Sequence, residues 1–370
     1  MKARPPLAAV ETPPLFGWRP HTVRSARVAL LSASLLGAFG CTEEKKPVKA
    51  SPDAGPQDRA SIENAKLAAA VRAAASSSSS SKPTSGPPEG GILAQGVADT
   101  QAKAFAPPKV ELGSDGAEPR VSWKVDPERW KGQATLSVGI RLGQNSALPS
   151  VDFAVSFSQP KADGDAPPEI LAKLDKASPS AQQLGQLPAD AKKEIGLLKG
   201  SEVRFRRHDA SLGSPIVKLA KGANPEVGRV AEGVGESLLL LTVPPPPKPV
   251  GVGAFWIAGS RETIGGMDAV LYRLYRVKSL SKDKITLTVE AHAYAADGNA
   301  PVEGAPKDLV LGQFQCEGTA ELELTPGDPV AEKGKSTLKV GLLFRPSGNP
   351  QGRGGTSQTV TDATLTRVAK

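Results

Sequence analysis

Few side chains of this chain are of the types that carry out chemistry. Its 370 residues include two cysteines and three histidines. A structural zinc site needs four ligands, drawn mainly from those two residue types, so the sequence predicts no metal site and no cofactor. The nucleophile motif Gly-x-Ser-x-Gly does not occur. We therefore expect no catalytic residues, and a hydrolase ranks third among the functions considered.

A glycine-lysine-serine triplet is the second feature that could bind a ligand. Gly334, Lys335 and Ser336 resemble the end of a phosphate-binding loop. Pro329 stands where that loop requires its first glycine, and residues 338–344 alternate as a strand where a helix must follow. The sequence therefore predicts a hairpin turn here and no nucleotide site.

The other reactive side chains lie in strand-like segments. His292 is two positions from Glu290 on the polar face of its segment, which predicts a surface pair and not a catalytic base. Cys316 shares the apolar face of its segment with Phe314 and Leu322, which predicts a buried free thiol.

Cys41 follows a segment with the layout of a secretory signal. Arg24 and Arg27 precede the apolar run 28–40, and Ala38 and Gly40 are the small residues at its end. A cysteine directly after such a segment resembles the lipobox of bacterial lipoproteins.

This resemblance implies cleavage between Gly40 and Cys41, and acylation of the Cys41 thiol with palmitate or a similar chain. Residues 1–40 would then be a signal peptide, and the lipid would hold the chain at the cell envelope, with Thr42 favouring the outer membrane on its periplasmic side. Ala38 departs from the usual leucine of the lipobox, so a soluble secreted protein is the alternative. The many prolines of residues 1–22 favour a true translation start at Val23.

The formal charge of +8 raises the question of a nucleic-acid partner. Residues 1–40 hold five basic side chains and one acidic one, so half of this charge belongs to the signal. The rest is spread over a long chain without the dense basic stripe that phosphate backbones require. We therefore exclude nucleic acid, and the membrane remains the expected partner.

Residues 41–106 have the composition of a tether. The segment is rich in serine, proline, glycine, alanine and charged residues. Such a composition buries too little apolar surface to offset chain entropy, so we expect a disordered linker between the lipid and a folded domain at 107–370.

Residues 107–370 alternate between apolar and polar side chains with period two, which is typical of antiparallel strands. Gly265-Gly266 is predicted to be a tight hairpin turn. One helix is predicted from Asn224 to Leu241, and a shorter one within 181–198 is broken near Pro188. We expect a mainly β domain: a curved antiparallel sheet or half-barrel, with the long helix across its concave side. Two separate domains, one on each side of that helix, are the alternative.

The stretch 247–256 carries a second resemblance. Its proline-rich link, the Val-Gly-Val-Gly turn at 250–253 and Trp256 resemble a group of β-rich secreted bacterial envelope proteins over residues 201–294. The resemblance implies an envelope domain and supplies no activity.

The expected function follows from this location and build. We expect a non-enzymatic, lipid-anchored envelope protein that binds or scaffolds, with other envelope proteins as possible partners. The alternative is a periplasmic carrier or sensor of an apolar ligand held between sheet and helix, by analogy with periplasmic lipoprotein carriers. For that alternative the pocket residues would be Trp256, Tyr272, Val234 and Leu238.

Overall fold

The computed structural model describes residues 88–124, 130–143, 146–161, 168–208, 211–281, 283–298, 309–348 and 354–368. The predicted signal peptide, the start at Val23, the cleavage site at Gly40, the anchor Cys41 and the tether up to residue 87 lie outside these residues.

Alternation of apolar and polar side chains produces the strands, because one face of each strand is buried. In β2 the buried residues Ala134, Leu136, Val138 and Ile140 alternate with more exposed neighbours. The twelve strands are β1 (Lys109–Ser114), β2 (Gly132–Leu142), β3 (Ser146–Ser158), β4 (Glu169–Pro179), β5 (Glu202–His208), β6 (Ser211–Lys218), β7 (Phe255–Ile264), β8 (Met267–Leu280), β9 (Ile285–Ala295), β10 (Leu309–Leu324), β11 (Lys333–Pro346) and β12 (Thr356–Arg367).

All twelve strands form one antiparallel sheet, in the order β1-β7-β8-β9-β10-β11-β12-β2-β3-β4-β5-β6. Of the strands before the long helix, β2 to β6 join the later strands through the β12–β2 ladder, and β1 joins them by pairing with β7. The expectation of a curved, mainly β domain is confirmed, and the alternative of two separate domains is wrong. The hairpin at Gly265-Gly266 is also confirmed, and both glycines have the positive φ that this tight turn requires, 59° and 77°.

Three α-helices accompany the sheet in the described residues: α1 (Val97–Gln101), α2 (Ala189–Gly196) and α3 (Pro225–Leu240). None of them is both long and apolar enough to cross a membrane. Helix α3 contacts strands from both halves, namely β2, β5, β6, β10, β11 and β12. The sheet therefore curves around α3, as the sequence predicted.

The packing between α3 and the sheet is tight. A Cβ atom added to Gly233 would lie 3.0 Å from Ile140 Cδ1, and one added to Gly235 would lie 2.6 Å from Pro215 Cβ. Val234 and Leu238 have no exposed surface. Side chains therefore fill the space beside this helix.

The N-terminal end of the described chain covers the part of the outer face formed by β8. We call residues 88–106 the strap. Leu93 and Ala98 of the strap pack against Val270 and Tyr272 of β8. The predicted tether extended to residue 106, but the structure places residues 88–106 on the sheet, because the apolar side chains of the strap find apolar partners there.

Two segments differ from what their local sequence predicts. Residues 169–179 form β4, although the lysines, leucines and alanines of this segment favour a helix. The predicted turn at Gly334 to Ser336 is wrong, because these residues lie inside β11, where Gly334 pairs with Leu322 of β10 and Leu365 of β12.

The two ends of the sheet meet at β7. Strand β1 pairs with residues 255–259 of β7, and β6 contacts β7 further along the strand. There the Ser214 hydroxyl donates to Glu262 Oε2 (2.8 Å) and accepts from the Thr263 amide (3.2 Å). We call this contact between Ser214 and residues 262–263 the seam.

Candidate functional site

The outer face of the sheet carries a groove of about 780 Å³. Strands β2, β3, β11 and β12 form its floor, and residues 180–183 form one wall. The Gln183 side-chain carbonyl accepts from the Ser150 amide (2.7 Å), and the Ser180 amide donates to the Ser150 carbonyl (2.8 Å). These two hydrogen bonds hold the wall against the floor.

Strand register lines up the polar side chains of the floor. Lys335 pairs with Thr364, Thr364 with Ser137, and Ser137 with Asp152, from β11 through β12 and β2 to β3. We call these four residues the charged row. It has a cation at one end, a carboxylate at the other and two hydroxyl groups between them.

The acidic residue of the next row, Asp362, already has partners. Asp362 Oδ1 accepts from the Thr337 hydroxyl (2.7 Å), and Asp362 Oδ2 accepts from Arg141 Nη2 (2.9 Å). Gly139 lies beside Asp362 on β2, next to an irregularity in the β2–β3 register. A Cβ atom added to Gly139 would lie 3.0 Å from Ser150 Oγ, so the Ser150 side chain occupies the space above this glycine.

The two charged residues at the ends of the charged row have fewer partners than Asp362. Asp152 Oδ1 accepts from the Ser137 hydroxyl at 2.5 Å. Within the described part of the chain, neither Asp152 nor Lys335 takes part in an ion pair. Glu321 lies opposite Lys335 on β10, and it is paired with Lys278 (3.4 Å).

Of the four residues predicted for an apolar pocket, three lie in the main core and one lies on the other face of the sheet. Trp256, Val234 and Leu238 belong to the main core. Trp256 is fully buried, donates from Nε1 to the Pro244 carbonyl (3.0 Å) and stacks on Tyr275. Tyr272 points to the opposite face of the sheet, where its hydroxyl donates to Gln101 of the strap (2.7 Å). Strand alternation explains this separation, because Trp256 pairs with Tyr275 and not with Tyr272.

Two other sequence predictions concern reactive side chains. Cys316 is a buried free thiol, as predicted, and burial raises its pKa to about 12. It is therefore a protonated, unreactive group at neutral pH. His292 is exposed on the outer face of β9, as predicted.

A charged cluster lies inside the sheet, next to the seam. Arg273 is fully buried and donates from Nη1 to the carbonyl of Leu239 (2.7 Å), near the C-terminal end of α3. Glu262 lies nearby and is also buried. Burial raises the pKa of the Glu262 carboxyl, and attraction to Arg273 opposes that shift only in part.

Sequence analysis identified neither the groove nor this cluster. The groove depends on the register of four strands, which no local pattern reveals. The cluster did leave a signal, because Arg273 occupies an inward position between Leu271 and Tyr275 in the alternation of β8. A cation at such a position must find a partner inside the fold.

Comparison with known proteins adds no relative to this description. No protein-family model matches the chain, and no curated protein matches its sequence significantly.

Proposed function

We propose that this chain is a lipid-anchored protein of the cell envelope with a non-enzymatic binding role, and that the groove is its binding surface. The signal-like segment ahead of Cys41 supports the anchor. The groove supports the binding role, because it is open, offers both polar and apolar side chains, and lies on four paired strands.

One observation carries the proposal: the space beside α3 is filled, whereas the groove on the outer face is open. Val234, Leu238 and Trp256 have no exposed surface. A ligand can therefore reach the groove without any rearrangement of the fold, which favours surface binding over internal carriage.

The carrier alternative requires a rearrangement of the fold. An apolar ligand would have to enter through the seam, where Ser214 bridges β6 and β7, and displace side chains packed against α3. Mass spectrometry of the protein purified from its native membrane tests this alternative. A stoichiometric lipid would support the carrier, and protein free of lipid apart from the anchor would count against it.

The anchor is tested by metabolic labelling with palmitate in cells that express the full chain. We expect label in the wild type and in Cys316→Ser, which keeps the proposed acylation site, and none in Cys41→Ser. Because these are the two cysteines of the chain, the pair of variants assigns the label. The anchor would be refuted if Cys41→Ser still carried the label. It would also be refuted if the wild-type protein carried no label and was found in the soluble fraction.

The binding surface is tested in intact cells with a photo-crosslinking residue at Ser137 or at His292. Both positions are on the outer face of the sheet, but only Ser137 lines the groove. We expect a discrete adduct from position 137 and none from position 292. Equal patterns at the two positions would remove the groove from the proposal.

A further inference from the structure

The charged row sets a distance between two opposite charges. Its four residues lie on four neighbouring strands, β11, β12, β2 and β3. Neighbouring strands are about 4.8 Å apart, so the backbones that carry Lys335 and Asp152 are separated by roughly 14 Å. All four residues line the groove.

Both ends of the row can accept an opposite charge from a ligand. Arg141 and Thr337 already satisfy Asp362, so of the two carboxylates that line the groove, Asp152 is the one without a basic partner among the described residues. At the other end, Glu321 already pairs with Lys278. The hydroxyl groups of Thr364 and Ser137 offer hydrogen bonds between the two ends.

We propose that the groove binds a short zwitterionic peptide across the strands, with its ammonium group at Asp152 and its carboxylate at Lys335. This inference rests on the groove being the binding surface. An extended peptide spans about 3.3 to 3.6 Å per residue, so the row matches about four residues. Glycans are a poorer fit, because the residues that line the groove include no aromatic side chain on which a sugar ring could stack.

The test uses tetra-alanine as the probe and isothermal calorimetry or NMR titration as the readout, on the full chain with Cys41→Ser, which removes the proposed acylation site. We compare the free peptide with its N-acetylated form and its C-amidated form. Pairs between exposed charges contribute up to about 1 kcal/mol. Each cap should therefore weaken binding to the wild type by about threefold to fivefold.

Crossing the caps with two variants assigns each terminus. In Asp152→Asn, acetylation of the peptide should no longer matter, while amidation still weakens binding. In Lys335→Gln the pattern should be reversed. Lys339→Gln is the matched control, because Lys339 lies on the same strand and face but outside the groove, and it should respond to both caps as the wild type does.

Three results would overturn the inference: equal binding of free and doubly capped peptide, cap effects that Asp152→Asn and Lys335→Gln leave unchanged, or an affinity that rises steadily from dialanine to hexa-alanine without a step near four residues. A failure here leaves the palmitate and crosslinking results standing. It would reject the ligand class and not the anchor or the groove.

Discussion

At the residue scale, the buried charges next to the seam are the least expected feature. Arg273 has no exposed surface, and Glu262 is almost completely buried. The carbonyl of Leu239 accepts from Arg273, so the negative end of the α3 dipole stabilises this cation. Two serine hydroxyls contact Glu262, from Ser214 and Ser260. The carboxyl therefore has hydrogen-bond partners whether it is protonated or ionised.

The raised pKa of Glu262 makes stability depend on pH. Because burial raises the pKa in the folded state, the folded protein binds this proton more tightly than the unfolded chain does. The resulting stabilisation is complete below the unfolded-state pKa and is lost as the pH rises through the folded-state pKa. We expect Glu262→Gln, which cannot ionise, to lack this loss.

Urea unfolding of the wild type and Glu262→Gln between pH 4 and pH 8 measures the difference. The wild type should lose stability relative to the variant as the pH rises, and Glu321→Gln, at an exposed carboxyl on β10, should follow the wild type. A constant difference across the whole range would show that Glu262 does not titrate there.

At the element scale, sequence patterns predicted what depends on local chemistry. The alternation in β2 and the two glycines between β7 and β8 were sufficient for a strand and a hairpin, because each signal lies within a few residues. Strand β4 was missed because its lysines, leucines and alanines are also good helix formers. The strap was missed because its few apolar side chains are buried only by contact with the outer face of β8, which is distant in sequence.

At the glycines of α3, helix propensity favours alanine whereas packing opposes it. Alanine is favoured over glycine in a helix by about 0.5 to 1 kcal/mol. At Gly235, however, the added methyl group would lie 2.6 Å from Pro215 Cβ, and overpacking costs about 1 to 3 kcal/mol. We expect Gly235→Ala to be destabilising by about 1 kcal/mol.

The matched control is Gly196→Ala in α2, where an added Cβ meets no atom within 4 Å. There the propensity gain is unopposed, and chemical denaturation should show a small increase in stability. If Gly235→Ala stabilised the protein as Gly196→Ala is expected to do, the tight fit of α3 against β6 would be disproved.

At the scale of the whole molecule, the order of the strands shows how the two halves depend on each other. The β12–β2 ladder joins the halves on one side of α3, and the seam brings them together on the other. The groove spans the first junction, because β11 and β12 belong to one half and β2 and β3 to the other. No local pattern contains this arrangement, so the fold class could be predicted from the sequence and the candidate site could not.

The seam should be the weakest junction of the sheet. Elsewhere neighbouring strands are joined by backbone ladders, whereas the Ser214 hydroxyl bridges β6 to β7. Ser214→Ala removes both hydrogen bonds of that hydroxyl and leaves Glu262 Oε2 without this donor, at a cost of about 1 to 3 kcal/mol.

Native-state hydrogen exchange of this variant should show faster exchange of the Thr263 amide, through local opening, with little change at the Cys316 amide in the β10 ladders. Ser279→Ala, at an exposed position of β8, is the control and should leave both amides unchanged. Equal acceleration at Thr263 and Cys316 would mean that the seam opens only when the whole sheet unfolds, and a ligand could not then reach the space beside α3 by that route.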